Sequence, residues 1–241
     1  MELTDYLNAN LKSNYKPIME PNYTIATRML AYKEVDIAFL CSGPFVIGKE
    51  RYGIEPIAAI KPSHGMEYRS YIIVPADSKA TSLKELKGKR FAFVDLQSYT
   101  GRLVPLYMIK KMGEDPATFF SEVVYTKSHE ASLFAVAERK VDGAGVISLL
   151  LEHELRTNPE LKKKIKIIDK SKNTGFPVFA TVKYSSNGDR ERFKNTLLNM
   201  HKDPKGKEIL KKLEIERFFE PKDSEYELIR QQYKEVKEFV P

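Results

Sequence analysis

Hydroxyl groups cluster in the run Asp95-Leu96-Gln97-Ser98-Tyr99-Thr100-Gly101-Arg102-Leu103-Val104-Pro105, and their placement suits the capture of an anion. The preceding Phe91-Ala92-Phe93-Val94 has the continuous apolar character of a buried strand, and Leu103, Leu106, Tyr107 and Met112 follow at helical spacing before Gly113. Ser98 to Gly101 therefore fall at a helix N-terminus. There the first backbone N–H groups lack intrahelical partners and the helix dipole is positive, so a phosphate-like group finds donors and a favourable field together. Pro105 fits the first helical turn, where no donor is lost. The same residue types are also ordinary helix caps, so Ser98 or Thr100 has a purely structural reading as well.

A second strand-to-helix turn, Tyr125-Thr126-Lys127-Ser128-His129-Glu130-Ala131, repeats this logic, with Ser128 as a cap and His129 in the first turn. His129 then has either a local structural role or that of a donor to the same anion. His64, His153 and His201 stand in unrelated contexts without metal-ligand spacing and read as surface or packing residues. An enzyme built on Ser98 as nucleophile, His129 as base and Asp95 as orienting acid is disfavoured. There is no Gly-x-Ser-x-Gly elbow, no P-loop and no metal cluster to neutralise a transferring phosphoryl group. Asp95 instead fits an Asx-type role, fixing the loop by accepting backbone hydrogen bonds.

The elements that must position these turns alternate between strand and helix, which implies α/β architecture with largely parallel sheets. Helices are expected over 3–11, 24–32, 102–112, 130–139, 147–156, 190–200, 205–213 and 224–239. Strands are expected over 35–40, 57–60, 70–74, 90–94, 123–125, 143–146, 165–168 and 178–182. In the last helix Tyr226, Ile229, Tyr233, Val236 and Val240 keep the three-and-four spacing of an amphipathic face. The strands at 70–74 and 178–182 bracket about a hundred residues able to form an α/β unit of their own, which suggests two lobes. The assignment is lobe 1 from 1–72 plus 178–241 and lobe 2 from 73–177.

At 241 residues, 42% hydrophobic and 30% charged, the chain is of globular composition, and no apolar run approaches a bilayer span. The formal charge of +7 is scattered. Its densest stretch, Lys162-Lys163-Lys164-Ile165-Lys166, has Glu160 and Asp169 nearby and no interleaved aromatics, so it reads as a solvated helix end and nucleic acid is not expected as a partner. Cys41, the single cysteine, excludes an internal disulfide and reads as a small partly buried hydrophobe. The opening residues Met1 to Leu7 lack a basic segment followed by an apolar core, so no signal peptide is expected in this sequence.

Five stretches together resemble the substrate-binding components of phosphate, phosphite and phosphonate ABC transporters. They are Val35-Asp36-Ile37-Ala38-Phe39-Leu40; Glu67-Tyr68-Arg69-Ser70-Tyr71-Ile72-Ile73-Val74 with Asp77-Ser78; Leu83-Lys84-Glu85-Leu86-Lys87-Gly88-Lys89; the turn from Asp95 to Pro105; and Ser128-His129-Glu130 followed by Ala135-Val136 and Val141-Asp142. Order and spacing agree over nearly the whole chain. The resemblance implies a type II periplasmic-binding-protein fold, with two α/β lobes joined by two hinge crossings and a small oxyanion held in the cleft. It implies no cofactor, no enzymatic activity, a location in the periplasm or on the extracellular face, and a membrane permease as partner. The alternative partner is a signalling domain served by the same module as a sensor.

Residue by residue, the resemblance implies that Ser98, Tyr99 and Thr100 offer N–H groups and hydroxyls, with Gly101 completing the turn. It implies that Ser128-His129 faces them, that Tyr68 is a ligand-binding tyrosine, and that Ser42-Gly43 supplies donors from the other lobe. Three departures stand out. Tyr99 replaces a small hydroxyl residue, and its ring either narrows the cleft or turns outward. Val146-Ile147-Ser148-Leu149-Leu150 lacks the carboxylate that pairs with an aminophosphonate's amine, which implies a simple anion such as phosphate, phosphite or methylphosphonate. The family's fold opens with a strand ahead of 3–11; that strand is missing here, and a gap in the middle of the first lobe's sheet is expected.

Overall fold

Two α/β units divide the chain, one formed by 1–66 with 175–225 and the other by 67–174 with 226–241. The computed structural model describes residues 2–182 and 187–240, without the side chains of His64 and Asn187. In chain order run α1 (Glu2–Leu11), α2 (Tyr23–Ala31), β1 (Ala38–Leu40), α3 (Ser42–Tyr52), β2 (Ile54–Pro62), β3 (Ser70–Pro75), β4 (Arg90–Phe93), a π-helical turn (Tyr99–Leu103) and α4 (Val104–Lys111). There follow β5 (Glu122–Tyr125), α5 (His129–Ala137), β6 (Gly143–Ile147), α6 (Ser148–Thr157), β7 (Ile165–Lys170), β8 (Val178–Val182), α7 (Asn187–Asn199), α8 (Pro204–Lys212), β9 (Ile215–Phe219) and α9 (Glu227–Val236).

The sheet of the first unit has the order β1-β8-β2-β9, and its described pairings are all antiparallel. The expected gap is not found: Ala180 of β8 faces Ala38 of β1 on one side and Pro56 of β2 on the other. In the second unit the order is β5-β4-β6-β3-β7. Among the described pairings only β4 with β5 and β4 with β6 run parallel, so the expectation of largely parallel sheets is corrected: the first unit's sheet is antiparallel and the second's is mixed. The reason is that β3 and β8 each run against the strands on both sides of them. Local apolar patterning marks a strand as buried but carries no sign of its direction.

α9 packs on α4 and on the π-helical turn, through a face that buries Ile229, Gln232, Tyr233 and Val236. Residues 226–241 therefore belong to the second unit, and the expected assignment of that stretch to the first lobe is corrected. The second unit's core joins Ile73, Ala92, Ala144 and Val146 of the sheet to Leu133 and Val136 of α5 and Leu151 of α6. None of the described helices is long and apolar enough to cross a membrane. Pro159–Lys163 forms a short 3-10 turn in which Lys163 pairs with Glu160 at 2.8 Å, a solvated end as the charge pattern implies.

Candidate anion site in the second unit

At the end of β4 the chain turns sharply, and the turn is fastened from within. Asp95 Oδ1 accepts the Gln97 N–H at 2.9 Å and the Asp95 carbonyl accepts the Ser98 N–H at 3.1 Å. Ser98 Oγ accepts the Gly101 N–H at 3.2 Å, and the Ser98 carbonyl takes the N–H groups of both Arg102 and Leu103 at 3.0 Å. That double acceptance widens the first turn into a π-helix before α4 begins, a local distortion that recurs at functional sites. Among the described residues, the N–H groups of Tyr99 and Thr100 find no acceptor. Ser98 also keeps its own O–H to donate, since its oxygen serves Gly101 as acceptor.

Packing then holds the turn in place. Ser70 Oγ of β3 donates to the Thr100 carbonyl at 2.6 Å. A Cβ on Gly145 of β6 would stand 3.1 Å from that carbonyl and 2.8 Å from Pro105 Cγ, so the turn lies directly on a glycine. Gly101 is equally confined, since a Cβ there would come within 2.5 Å of Val94 Cγ2.

The second turn is tied to the end of the same strand. The N–H groups of Thr126 and Lys127 donate to the carbonyls of Phe93 and Val94 at 2.9 and 2.8 Å. Lys127 adopts a left-handed φ of 66°, and Ser128 then caps α5 by accepting the Ala131 N–H at 3.0 Å. His129 follows in the first turn. Its Nε2 lies 3.4 Å from Thr100 Oγ1, and its Nδ1 accepts the Ile147 N–H at 3.1 Å.

That last bond fixes the chemistry of the ring. A nitrogen that accepts from an amide carries no proton, so the neutral imidazole must hold its hydrogen on Nε2, aimed toward Thr100. Burial acts in the same direction, pulling the His129 pKa from its ordinary 6.5 down to about 3. The two turns thus present Ser98 O–H, Thr100 O–H, two backbone N–H groups and His129 Nε2–H, all of them uncharged donors.

The expected site residues divide between the two turns, the interior of the second unit and the first unit. The Tyr99 hydroxyl donates to Gln232 Oε1 of α9 at 2.8 Å, and the ring is 1% exposed. Its side chain therefore turns into the interior of the unit. Gly101 commits its N–H to Ser98 Oγ. Tyr68 is also buried, its ring nearly parallel to that of Tyr99 at 6.4 Å and its backbone N–H anchored to Asn173 Oδ1 at 2.7 Å. Ser128 has its oxygen engaged as a cap. Ser42 opens α3 in the first unit, next to Cys41, whose thiol donates to the Tyr23 hydroxyl at 3.6 Å. His153 and His201 take no part in the two turns, and the side chain of His64 lies outside the described residues.

Ser70, Gln232 and Arg102 were not foreseen as partners of the turn. The signals are visible in retrospect: Ser70 opens an otherwise apolar strand, and Gln232 interrupts the apolar stripe of α9.

Residues 1–226 match the family model described as the periplasmic substrate-binding protein of phosphonate ABC transporters. The chain belongs to this family. Its members are transporter components that bind substrate, not enzymes. The phosphonates-binding periplasmic protein of Escherichia coli is 27% identical over 80% of this chain, and the aligned part spans 58% of that protein's length. A binding protein component of a phosphonate ABC transporter from Pseudomonas aeruginosa superposes with a TM-score of 0.89 at 24% identity, covering 99% of this chain and 80% of that one. PhnD1 from Prochlorococcus marinus, solved in complex with methylphosphonate, gives 0.82 at 20% identity, covering 98% and 91%. These likenesses identify the fold as that of the type II periplasmic binding proteins.

Proposed function

We propose that this member of the phosphonate-binding family captures a small tetrahedral oxyanion, namely phosphate, phosphite or a simple phosphonate such as methylphosphonate, on the periplasmic side and delivers it to an ABC transporter permease. The observation that carries this reading is the convergence of Thr100 Oγ1 and His129 Nε2 at 3.4 Å, each at the start of a helix. Two helix beginnings and a set of neutral donors stabilise a dianion without a salt bridge, and hydrogen bonds to a charged group contribute about 1.5–3 kcal/mol each. Phosphite and methylphosphonate are also the ligands named for the relative from Prochlorococcus marinus, which supports the ligand class. The family is one of transporter components, so it favours transport over sensing.

Selection against aminoalkylphosphonates follows from Ser148. The residue after β6 has a hydroxyl that donates to the Glu67 carbonyl at 2.6 Å while accepting the Arg69 N–H at 3.0 Å, and it offers a ligand amine no carboxylate. Thermal-shift screening against phosphate, phosphite, methylphosphonate, sulfate and 2-aminoethylphosphonate tests both points, because a ligand that binds only the folded chain raises its midpoint. Ser98→Ala and His129→Ala should each weaken binding about tenfold to a hundredfold, with Thr100→Val similar and Lys163→Ala silent. Tighter calorimetric binding of 2-aminoethylphosphonate than of methylphosphonate would refute the selectivity.

A further inference from the structure

Arg102 lies within the anion turn and is only 7% exposed. Its guanidinium reaches three places at once. Nη1 donates to the Leu96 carbonyl at 2.9 Å, Nε to the Tyr125 hydroxyl at 3.0 Å and Nη2 to the Phe239 carbonyl at 2.7 Å, while the group sits over the rings of Phe93 and Tyr125 at 5.7 and 5.8 Å. Every one of these partners is neutral. Among the described residues no carboxylate pairs with it, whereas the neighbouring Lys110 and Lys111 are matched by Glu238 and Glu235.

A buried cation without a counter-charge is costly, and such groups are ordinarily paired. Here the nearest fixtures are the anion turn itself, through Leu96 and the Ser98 carbonyl that accepts the Arg102 N–H, and the second turn, through Tyr125. We infer that Arg102 is the charge-selecting residue of the site: it ties the two turns together, and its uncompensated charge makes them prefer a dianion to a monoanion of the same shape. This rests on the anion-binding reading above. The ligand is held by neutral donors and its charge is answered from behind the turn, where the burial of Arg102 limits screening by water.

The test compares methylphosphonate with methanesulfonate, which share a tetrahedral head and a methyl group, at one pH above the second ionisation of the phosphonate. Calorimetry of the intact chain should show methylphosphonate bound more tightly. Arg102→Met, which keeps much of the packing volume, should narrow that preference by about tenfold, as expected for one unit of ligand charge facing a poorly screened cation. Arg102→Lys keeps the charge and should keep the preference, although both ligands bind less tightly. Tyr125→Phe removes one tether and should weaken the two ligands alike. A folded Arg102→Met protein with the wild-type preference overturns the inference. Should that variant not fold, loss of the preference in Arg102→Lys overturns it. A wild-type chain that binds neither anion refutes the binding reading itself, an outcome distinct from a chain that binds both without preference.

Discussion

The two turns of the second unit start from the same device and end in different circumstances. In each a serine ends a strand-to-helix connection and accepts the N–H three residues on, Ser98 from Gly101 at 3.2 Å and Ser128 from Ala131 at 3.0 Å. Yet Ser98, Tyr99, Thr100, Gly101 and Arg102 are all buried, whereas Lys127, Ser128 and Glu130 are exposed and only His129 is drawn in. The first turn is held by β3, α9 and its own arginine, and the second mainly by the end of β4. A cap motif alone therefore does not make a site. What distinguishes the first turn is that other elements hold its backbone in one geometry, so that unpaired donors cost no reordering when a ligand arrives.

If confinement is the difference, Gly101→Ala should do the most damage. The added methyl would stand 2.5 Å from Val94 Cγ2 and 2.8 Å from Ser98 Oγ, and neither can retreat from a buried turn. Overpacking of this kind costs about 3 kcal/mol. Urea denaturation should show that loss, together with disappearance of the anion-dependent thermal shift. A fully stable, anion-binding Gly101→Ala protein would show that the turn is softer than its packing implies.

The half-buried ring of the second turn is best probed by acid. His129 is held neutral, with a folded pKa of about 3 against an ordinary 6.5, so the unfolded chain takes up the proton first as pH falls. Stability from this group is complete above pH 6.5 and is lost below it, with a slope approaching 1.4 kcal/mol per pH unit, or about 2 kcal/mol by about pH 5. Denaturation curves of wild type and His129→Gln should diverge in that window, the variant having the shallower pH dependence. Parallel curves would mean that the imidazole is solvated after all.

Smaller again is the effect of Ser70→Ala, which removes the hydroxyl that holds the Thr100 carbonyl at 2.6 Å. Leaving that buried carbonyl without this donor should cost about 1–2 kcal/mol and loosen the first turn enough to weaken methylphosphonate binding by roughly tenfold. Equal stability losses in Ser70→Ala and Ser70→Gly with unchanged affinity would place Ser70 in the core alone.

The sequence shows these turns because capping is local chemistry. Ser98, Ser128 and the helical spacing after each lie within a dozen residues, and the expected elements around them match the observed ones closely. α3 is not legible in the sequence because Phe45, Val46 and Ile47 are consecutive buried residues, which leave no amphipathic stripe, and Gly43 and Pro44 are poor helix formers. β9 is equally hard to read, because in Ile215-Glu216-Arg217-Phe218-Phe219 only Phe218 is fully buried. Partnership is less legible still. Thr100 meets Ser70 across thirty positions and Tyr99 meets Gln232 across 133, and no local pattern encodes either. The amphipathic face of α9 announces that it will be buried without saying in which unit. The Tyr99 ring takes neither of the two orientations expected for it: it turns into the unit, where Gln232 of that same helix accepts its hydroxyl.

Ser128→Ala sets the lower end of the comparison. The substitution removes an N-cap acceptor, which costs about 1 kcal/mol of helix stability, and α5 is short enough to register the loss at its first turn. His129 occupies that turn, but its ring is also held by the Ile147 N–H from β6. Binding should therefore fall by less than about threefold, well below the loss on Ser98→Ala. Calorimetry on the two alanine variants measures the gap directly. Equal losses would make Ser128 a contact to the anion, and the two turns would then share the ligand evenly despite the difference in their burial.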